Sequence, residues 1–216
     1  MKSQTDPTSQ LVTGPSLTRH DAPGQPRGVV LMLHGGKETS TQPVDGRSAS
    51  WRRSWAMQRT ITPRAHTAGV STWLLRYRER GWNGSGAVPI EDARWALEEV
   101  RRELGDLPVV LLGHSMGART SAHVADDPSV VGVVALAPWF PPDERVGALA
   151  GKHLVAAHGR RDRITSPRAT AYFVERAKPI AASARLEDMG ETGHYMLRRT
   201  TAWNDMAVSS SLALLD

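Results

Sequence analysis

The sequence contains a serine in a setting typical of a nucleophile. Ser115 is the middle residue of Gly113-His114-Ser115-Met116-Gly117, which follows the apolar run 109–112 and precedes an alanine-rich segment. A G-x-S-x-G pattern between a buried strand and a helix is typical of a sharp turn that exposes its serine, and the glycines prevent collisions with neighbouring elements. The pattern therefore predicts that Ser115 attacks a carbonyl carbon.

A serine nucleophile needs a base to take its proton and an acid to orient that base. His194 and Asp162 are candidates for these two roles, because each lies just beyond a strand-like segment. Side chains at the ends of neighbouring parallel strands can converge on one site. The alternative candidates for the acid are Asp143 and Asp188.

Short apolar segments alternate with helical patterns along the chain. Five segments rich in β-branched residues are predicted to be buried parallel strands: 28–33, 72–77, 108–112, 130–137 and 153–157. A weaker strand is expected over 184–189. Helices are expected most clearly over 89–104, and more weakly over 55–67, 116–126, 142–149, 167–177 and 203–215. The alternation predicts a mostly parallel, doubly wound α/β sheet with helices on both faces.

From about residue 28 to its C-terminus the chain resembles the α/β-hydrolase family. The resemblance rests on four motifs: the turn around Ser115, Gly159 to Asp162, Gly193-His194, and Leu33-His34-Gly35-Gly36. It implies the α/β-hydrolase fold, with Ser115 as nucleophile, Asp162 as acid and His194 as base. It also implies that the backbone amides of Gly36 and Met116 form an oxyanion hole. If the loop is shifted by one residue, the Lys37 amide replaces that of Gly36.

The resemblance also indicates which features are absent. Members of the family commonly carry a cap after the strand that here ends near Ala137, and residues 138–152 are too few to build one. The site is therefore expected to be open and walled by loop side chains. The expected substrate-binding residues are Lys37, Trp82, Trp139, Phe140 and Tyr195. Segment 37–69 is expected to form a mobile approach to the site, with a helix that breaks at Pro63.

Three further histidines are predicted to be structural. His34 belongs to the turn of the proposed oxyanion loop, His114 occupies the variable position before Ser115, and His158 closes a strand beside Gly159. They are expected to pack or to form local hydrogen bonds.

Length and composition predict one domain over residues 16–216, preceded by a polar, flexible leader over 1–15. The leader lacks the pattern of a secretory signal, no apolar run approaches the roughly 18 residues of a membrane span, and cysteine is absent. We therefore expect a cytoplasmic monomer or homodimer without membrane partners.

The net charge is +5, but the arginines form scattered pairs without a nucleic-acid-reading motif, so no nucleic-acid partner is expected. A preference for anionic substrates is an open alternative, because the loops expected near the site carry the basic residues Lys37, Arg160, Arg161 and Arg163.

These observations predict a serine hydrolase that cleaves small or exposed carboxylic esters through an acyl-enzyme intermediate. A thioesterase, an acyl-transfer enzyme or a lactone-cleaving enzyme would use the same residues, and an inert binding protein of the same fold is the alternative from another class. No cofactor or metal is expected, because His194 activates the nucleophile and backbone amides stabilise the oxyanion.

Overall fold

A computed structural model describes residues 14–216 as a seven-stranded sheet flanked by five helices. The strands are β1 (Ser16–His20), β2 (Gly28–Leu33), β3 (Val70–Arg76), β4 (Val109–His114), β5 (Val130–Leu136), β6 (His153–His158) and β7 (Ser183–Asp188). The helices are α1 (Ala49–Thr67), α2 (Ala87–Leu104), α3 (Met116–Val124), α4 (Pro167–Ala177) and α5 (Thr200–Ala213). The predicted leader over 1–15 lies almost wholly outside the described residues.

The strand order is β1-β3-β2-β4-β5-β6-β7, and every pair is parallel except β1 with β3. Strand β1 is an edge strand that sequence reasoning missed, because its residues form no apolar run. It is held by antiparallel pairing from Ser16 opposite Arg76 to His20 opposite Thr72. The remaining architecture confirms the predicted mostly parallel α/β sheet.

Each face of the sheet has its own hydrophobic core. In β2, Val29, Leu31 and Leu33 pack towards α2, α3 and α4, whereas Val30 and Met32 pack towards α1 and α5. Successive side chains of a strand point to opposite faces, so an entirely apolar strand is the expected pattern where both faces are covered. Helices on both faces therefore enclose the central strands.

Helix α1 differs from the prediction, since it begins at Ala49 and continues through Pro63. Proline lacks the amide that would bond to the carbonyl four residues earlier, but Pro63 lies on the exposed face, where water can take that role. Burial of Ile61 and Ala65 on the opposite face holds the helix together. The expected break at Pro63 is therefore wrong.

The connection between β5 and β6 contains no cap. The helix expected over 142–149 is also wrong, because the segment forms turns and one short 3-10 helix, Gly147–Leu149. The carboxyl ends of β4, β6 and β7 are thus left uncovered by any inserted domain, and the candidate site lies there.

Within residues 14–216, no helix is both long and apolar enough to cross a bilayer.

Candidate active site

Ser115 occupies a strained turn between β4 and α3. Its backbone angles are φ 55° and ψ −115°, in a region that residues other than glycine rarely adopt. The flanking glycines are required by close packing: a Cβ at Gly113 would lie 2.5 Å from the Ala118 Cα, and one at Gly117 would overlap the Leu33 carbonyl. The turn therefore holds the Ser115 hydroxyl at the end of the strand.

Hydrogen bonds join Ser115, His194 and Asp162. The His194 Nε2 lies 3.0 Å from the Ser115 Oγ, and the His194 Nδ1 lies 2.8 Å from the Asp162 Oδ2. Because the carboxylate accepts the Nδ1 proton, Nε2 keeps a lone pair directed at the serine hydroxyl. The arrangement can transfer the Ser115 proton to His194 while Ser115 attacks.

Asp162 is held as a carboxylate by many donors. Burial on its own would raise the pKa of Asp162, but hydrogen bonds from His158 and His194 and from the amides of Thr165 and Ile164 outweigh burial and keep the pKa well below its ordinary value. The amides bond to Oδ1 at 2.8 and 2.9 Å, and the Thr165 hydroxyl donates to Oδ2 at 2.9 Å. The group is therefore ionised throughout the neutral range.

His158 contacts the acid, a role that sequence reasoning did not foresee. Its Nε2 lies 3.0 Å from the Asp162 Oδ2, and its Nδ1 lies 2.8 Å from the Thr170 hydroxyl. A neutral imidazole that donates from Nε2 accepts the Thr170 proton at Nδ1. The signal was the four-residue spacing of His158 and Asp162 across one turn. Asp162 thus orients two histidines, of which only His194 reaches Ser115.

The loops after β6 and β7 are joined by backbone hydrogen bonds. The Arg160 amide donates to the Gly190 carbonyl at 2.8 Å, and the Arg161 amide donates to the Thr192 carbonyl at 3.1 Å. A Cβ at Gly159 would overlap the Thr192 backbone, so this close approach requires glycine. This pairing brings the Asp162 loop against the His194 loop.

The amides of Gly36 and Met116 are available to bind an oxyanion. Among residues 14–216, neither amide donates to a protein acceptor. The Lys37 amide, the alternative donor, is used in a 2.7 Å hydrogen bond to the Arg80 carbonyl. A Cβ at Gly36 would lie 2.5 Å from both the Arg80 carbonyl oxygen and the Met116 Cε, so only glycine fits.

Two buried histidines support these groups. The His34 Nδ1 donates to the Gly35 carbonyl at 2.6 Å, and the Tyr77 amide donates to the His34 Nε2 at 3.3 Å. The His114 Nε2 donates to the His194 carbonyl at 3.1 Å. Burial lowers the pKa of His34 to about 4 and that of His114 to about 3. Both are therefore neutral and hold the loops that carry Gly36 and His194.

A cavity of about 490 Å³ opens beside Ser115 and His194. One wall is formed by the start of α1 and the turn before it, within the segment 37–69 that the sequence predicted to approach the site. None of the side chains of this wall was among the expected substrate-binding residues. Besides Ser115 and His194, the cavity is lined by Gly35, Gly36, Arg47, Ala49, Ser50, Arg52, Arg53, Trp55, Ala56, His114, Tyr195 and Leu197. Tyr195, which is 59% exposed, is the one expected substrate-binding side chain that lines the cavity.

The other four expected substrate-binding residues lie elsewhere. Trp82 is only 2% exposed and, with Trp139, packs against the Arg119 guanidinium at 4.1 and 4.5 Å from the ring centroids. Phe140 is buried and stacks on Phe173. Lys37 is exposed but does not line the cavity. The three aromatic residues follow strand ends, but their rings pack against the core instead of facing the cavity.

The sequence matches a family model described as the alpha/beta hydrolase family over residues 30–214. The chain therefore belongs to the α/β hydrolase family, as its sheet and the strand ends that carry its candidate site also indicate.

Solved structures of this fold resemble the chain over nearly its whole length. An α/β serine hydrolase homologue from Coxiella burnetii is 18% identical, with a TM-score of 0.71 and coverage of 91% of this chain and 92% of that chain. A serine hydrolase without a lid from Xanthomonas campestris is 19% identical, with a TM-score of 0.62 and coverage of 93% and 94%. A propionate-bound esterase from Thermogutta terrifontis is 16% identical, with a TM-score of 0.64 and coverage of 93% and 86%. A search of curated protein sequences found no match.

Proposed function

We propose that this α/β hydrolase is a serine carboxylesterase that hydrolyses small or exposed acyl esters through an acyl-enzyme intermediate. The observation that carries the proposal is the hydrogen-bonded series from Ser115 through His194 to Asp162, at 3.0 and 2.8 Å. Groups in this order supply a nucleophile, its base and the carboxylate that orients the base.

In the first half of the reaction, the Ser115 Oγ attacks the acyl carbon while its proton passes to the His194 Nε2. The carbonyl oxygen becomes an oxyanion that accepts hydrogen bonds from the amides of Gly36 and Met116. Removing one donor of this kind costs roughly 2.7–4 kcal/mol of transition-state stabilisation. The His194 proton then passes to the departing alcohol, and the acyl group stays on Ser115.

In the second half, water attacks the acyl-enzyme as His194 takes its proton. The tetrahedral intermediate collapses, the acid leaves, and the proton on His194 returns to Ser115. Asp162 remains ionised throughout and stabilises the imidazolium that forms twice in each cycle. The net reaction consumes one ester and one water and yields one acid and one alcohol.

Thioesters and lactones present the same acyl carbon to the same groups, so a substrate panel must choose among acyl donors. Esters, thioesters and lactones of matched acyl length would be compared by kcat/KM. The highest kcat/KM on oxygen esters is expected. A higher value on thioesters or lactones would assign the alternative activity.

The first prediction concerns Ser115→Ala. The variant is expected to lose roughly 10⁴–10⁶-fold in kcat on 4-nitrophenyl butyrate, because the attacking oxygen is removed. Its melting temperature should match that of the wild type, because the hydroxyl contributes little to packing. A fluorophosphonate probe should label the wild type at Ser115 and leave the variant unlabelled. An unlabelled wild type would identify an inert protein of the same fold and overturn the proposal.

A further inference from the structure

The cavity beside Ser115 carries positive charge without a balancing carboxylate. Arg47, Arg52 and Arg53 line its wall, and none of the described residues that line it is acidic. Within residues 14–216, Arg47 and Arg52 form no salt bridge, and both are exposed. Their guanidinium groups are therefore available to a ligand.

Two of the loop arginines near the acid, Arg160 and Arg161, differ from those of the cavity. Arg160 pairs with Asp188, and Arg161 pairs with Glu191 at 2.6 Å, so the charge of each is balanced on the protein. Arg160 and Arg161 are two of the basic loop residues from which the sequence suggested a preference for anionic substrates as an alternative. The other two, Lys37 and Arg163, form no salt bridge among residues 14–216 but do not line the cavity. The unbalanced charge that lines the cavity with Ser115 therefore lies at the start of α1 and in the turn before it.

Arg53 adds a half-buried charge to the same wall. Its Nε donates to the Tyr195 carbonyl at 2.9 Å and its Nη2 to the Met196 carbonyl at 3.0 Å, and no carboxylate pairs with it among the described residues. Carbonyl dipoles stabilise the guanidinium but leave its full positive charge at the cavity. Arg53 also holds the loop that carries His194.

Apolar surface completes the cavity. Trp55 and the exposed side chains of Tyr195 and Leu197 lie on its wall together with the arginines. A ligand that matches both features has a hydrocarbon or aromatic part and a negatively charged group. Arginine binds carboxylates with paired hydrogen bonds, which adds geometric selectivity to charge attraction.

We propose that the substrate is an ester bearing a carboxylate away from the scissile bond, bound by Arg47 and Arg52 while Ser115 attacks the ester carbonyl. This inference rests on the proposed esterase function and specifies its substrate class. The ester undergoes ordinary hydrolysis, and its distant carboxylate takes no part in bond making.

Two matched substrate pairs test the proposal. On the acyl side, 4-nitrophenyl monoadipate is compared with the neutral 4-nitrophenyl adipamate; on the alcohol side, 4-carboxyphenyl butyrate is compared with 4-carbamoylphenyl butyrate. Rates measured with Ser115→Ala are subtracted to remove uncatalysed hydrolysis. We expect the wild type to prefer the anion in at least one pair by about tenfold in kcat/KM, from two contacts to exposed cations. The pair that shows the preference identifies the side that carries the charge.

Arginine variants show whether the preference comes from Arg47 and Arg52. Arg47→Gln and Arg52→Gln should each reduce the anionic-to-neutral ratio by about two- to fivefold. Arg168→Gln is the matched control, because Arg168 is exposed on α4, forms no salt bridge among residues 14–216 and changes the net charge equally. Salt should also reduce the anionic-to-neutral ratio of kcat/KM. Raising its concentration from about 20 to about 500 mM shortens the electrostatic screening length from about 20 Å to about 4 Å. A ratio near one, or equal effects of all three variants, would overturn the inference.

A binding measurement separates this inference from the proposed function. Calorimetry with Ser115→Ala compares monoethyl adipate with ethyl adipamate, and the anion should bind more tightly. Adding Arg52→Gln should reduce that difference in affinity by about two- to fivefold, whereas an anion bound only by the oxyanion amides would keep it. A preference for the anion without any turnover by the wild type would overturn the esterase proposal and support the anion site. Equal affinities would overturn the anion site.

Discussion

At the scale of single residues, Asp162 is the centre of the site. Its buried carboxylate accepts hydrogen bonds from two histidines, a hydroxyl and two amides. Burying a carboxylate is costly unless its lone pairs accept hydrogen bonds. Only one of these five hydrogen bonds, the one from His194, is needed to orient the base. The surplus makes Asp162 a contributor to stability as well as to the geometry of His194.

Stability should therefore depend on pH through Asp162. Its folded-state pKa lies well below its ordinary value of 3.8, so its stabilisation is fully present above that value. As the pH falls below 3.8, the unfolded chain takes up a proton that the folded chain refuses, and the contribution is lost progressively. The free energy of unfolding by urea would be measured between about pH 7 and about pH 3, which includes the titration of an unfolded aspartate, and its slope against pH should be smaller for Asp162→Asn than for the wild type. Equal slopes would contradict this account.

His158 is predicted to position Asp162 rather than to touch substrate. His158→Leu removes one donor from the carboxylate and should lower kcat about ten- to hundredfold with little change in KM, because small displacements of the base are costly. His158→Gln keeps an N–H donor of similar reach and should recover most of the activity. Kinetics and melting temperatures of both variants distinguish the roles. If the two lose activity equally at similar stability, His158 serves packing alone.

At the scale of elements, the loops after β2, β4, β6 and β7 meet at one edge of the sheet. Parallel strands present their carboxyl ends on that edge, so residues far apart in sequence come together without a dedicated scaffold. The turn at Ser115, the paired Asp162 and His194 loops and the loop at Gly36 each require a glycine where backbone approaches backbone or a buried side chain. Small residues at loop positions thus decide the geometry of the site.

Gly36→Ala tests the loop after β2. The new methyl group would collide with the Met116 side chain and the Arg80 carbonyl and displace the Gly36 amide. We expect a loss of about 10²–10³-fold in kcat, the magnitude for one oxyanion donor. Gly46→Ala is the matched control, because its methyl group would meet no atom within 4 Å. Full activity of Gly36→Ala would show that this amide is not a donor.

At the scale of the whole molecule, the site is open because the β5–β6 connection carries no cap. Only turns and a three-residue 3-10 helix cover this stretch, and the cavity wall is supplied by α1. An uncovered cavity of about 490 Å³ can surround a short chain but offers no tunnel for a long one. The wall at α1 also gives the site its positive charge, whereas the net charge of +5 alone would not have located it.

Acyl chain length should therefore have an optimum among short neutral esters. Each methylene that contacts Trp55, Tyr195 or Leu197 can add up to about 0.8 kcal/mol while it remains buried. Further carbons extend into water, so kcat/KM on soluble 4-nitrophenyl esters should be highest at about two to six carbons and lower at twelve. A value still rising at twelve carbons, or a jump above the micelle concentration, would indicate a cover over the site.

The sequence alone determined the fold class, the missing cap and the order in which serine, acid and base candidates occur. The fold class follows from periodicity, and the position of the serine from glycine patterns, because a backbone that turns sharply at a strand end accepts few other residues. The missing cap and the order of the candidates follow from the resemblance to the α/β-hydrolase family. Strand β1 was beyond reach for the opposite reason: it has no apolar run of its own and depends on β3 for its pairing.

Only the tertiary structure decided which side chains face the cavity. The sequence does not show whether an aromatic residue in a loop packs into the core or lines the site. In the structure, Trp82 and Trp139 pack against Arg119 and do not line the cavity. Phe140 packs against Phe173 and does not line it either. The cavity arginines, Arg47, Arg52 and Arg53, lie more than sixty positions before Ser115 in the chain, and no local pattern links them to it. Side-chain direction is set by the neighbours that the fold brings together, and those neighbours are distant in sequence.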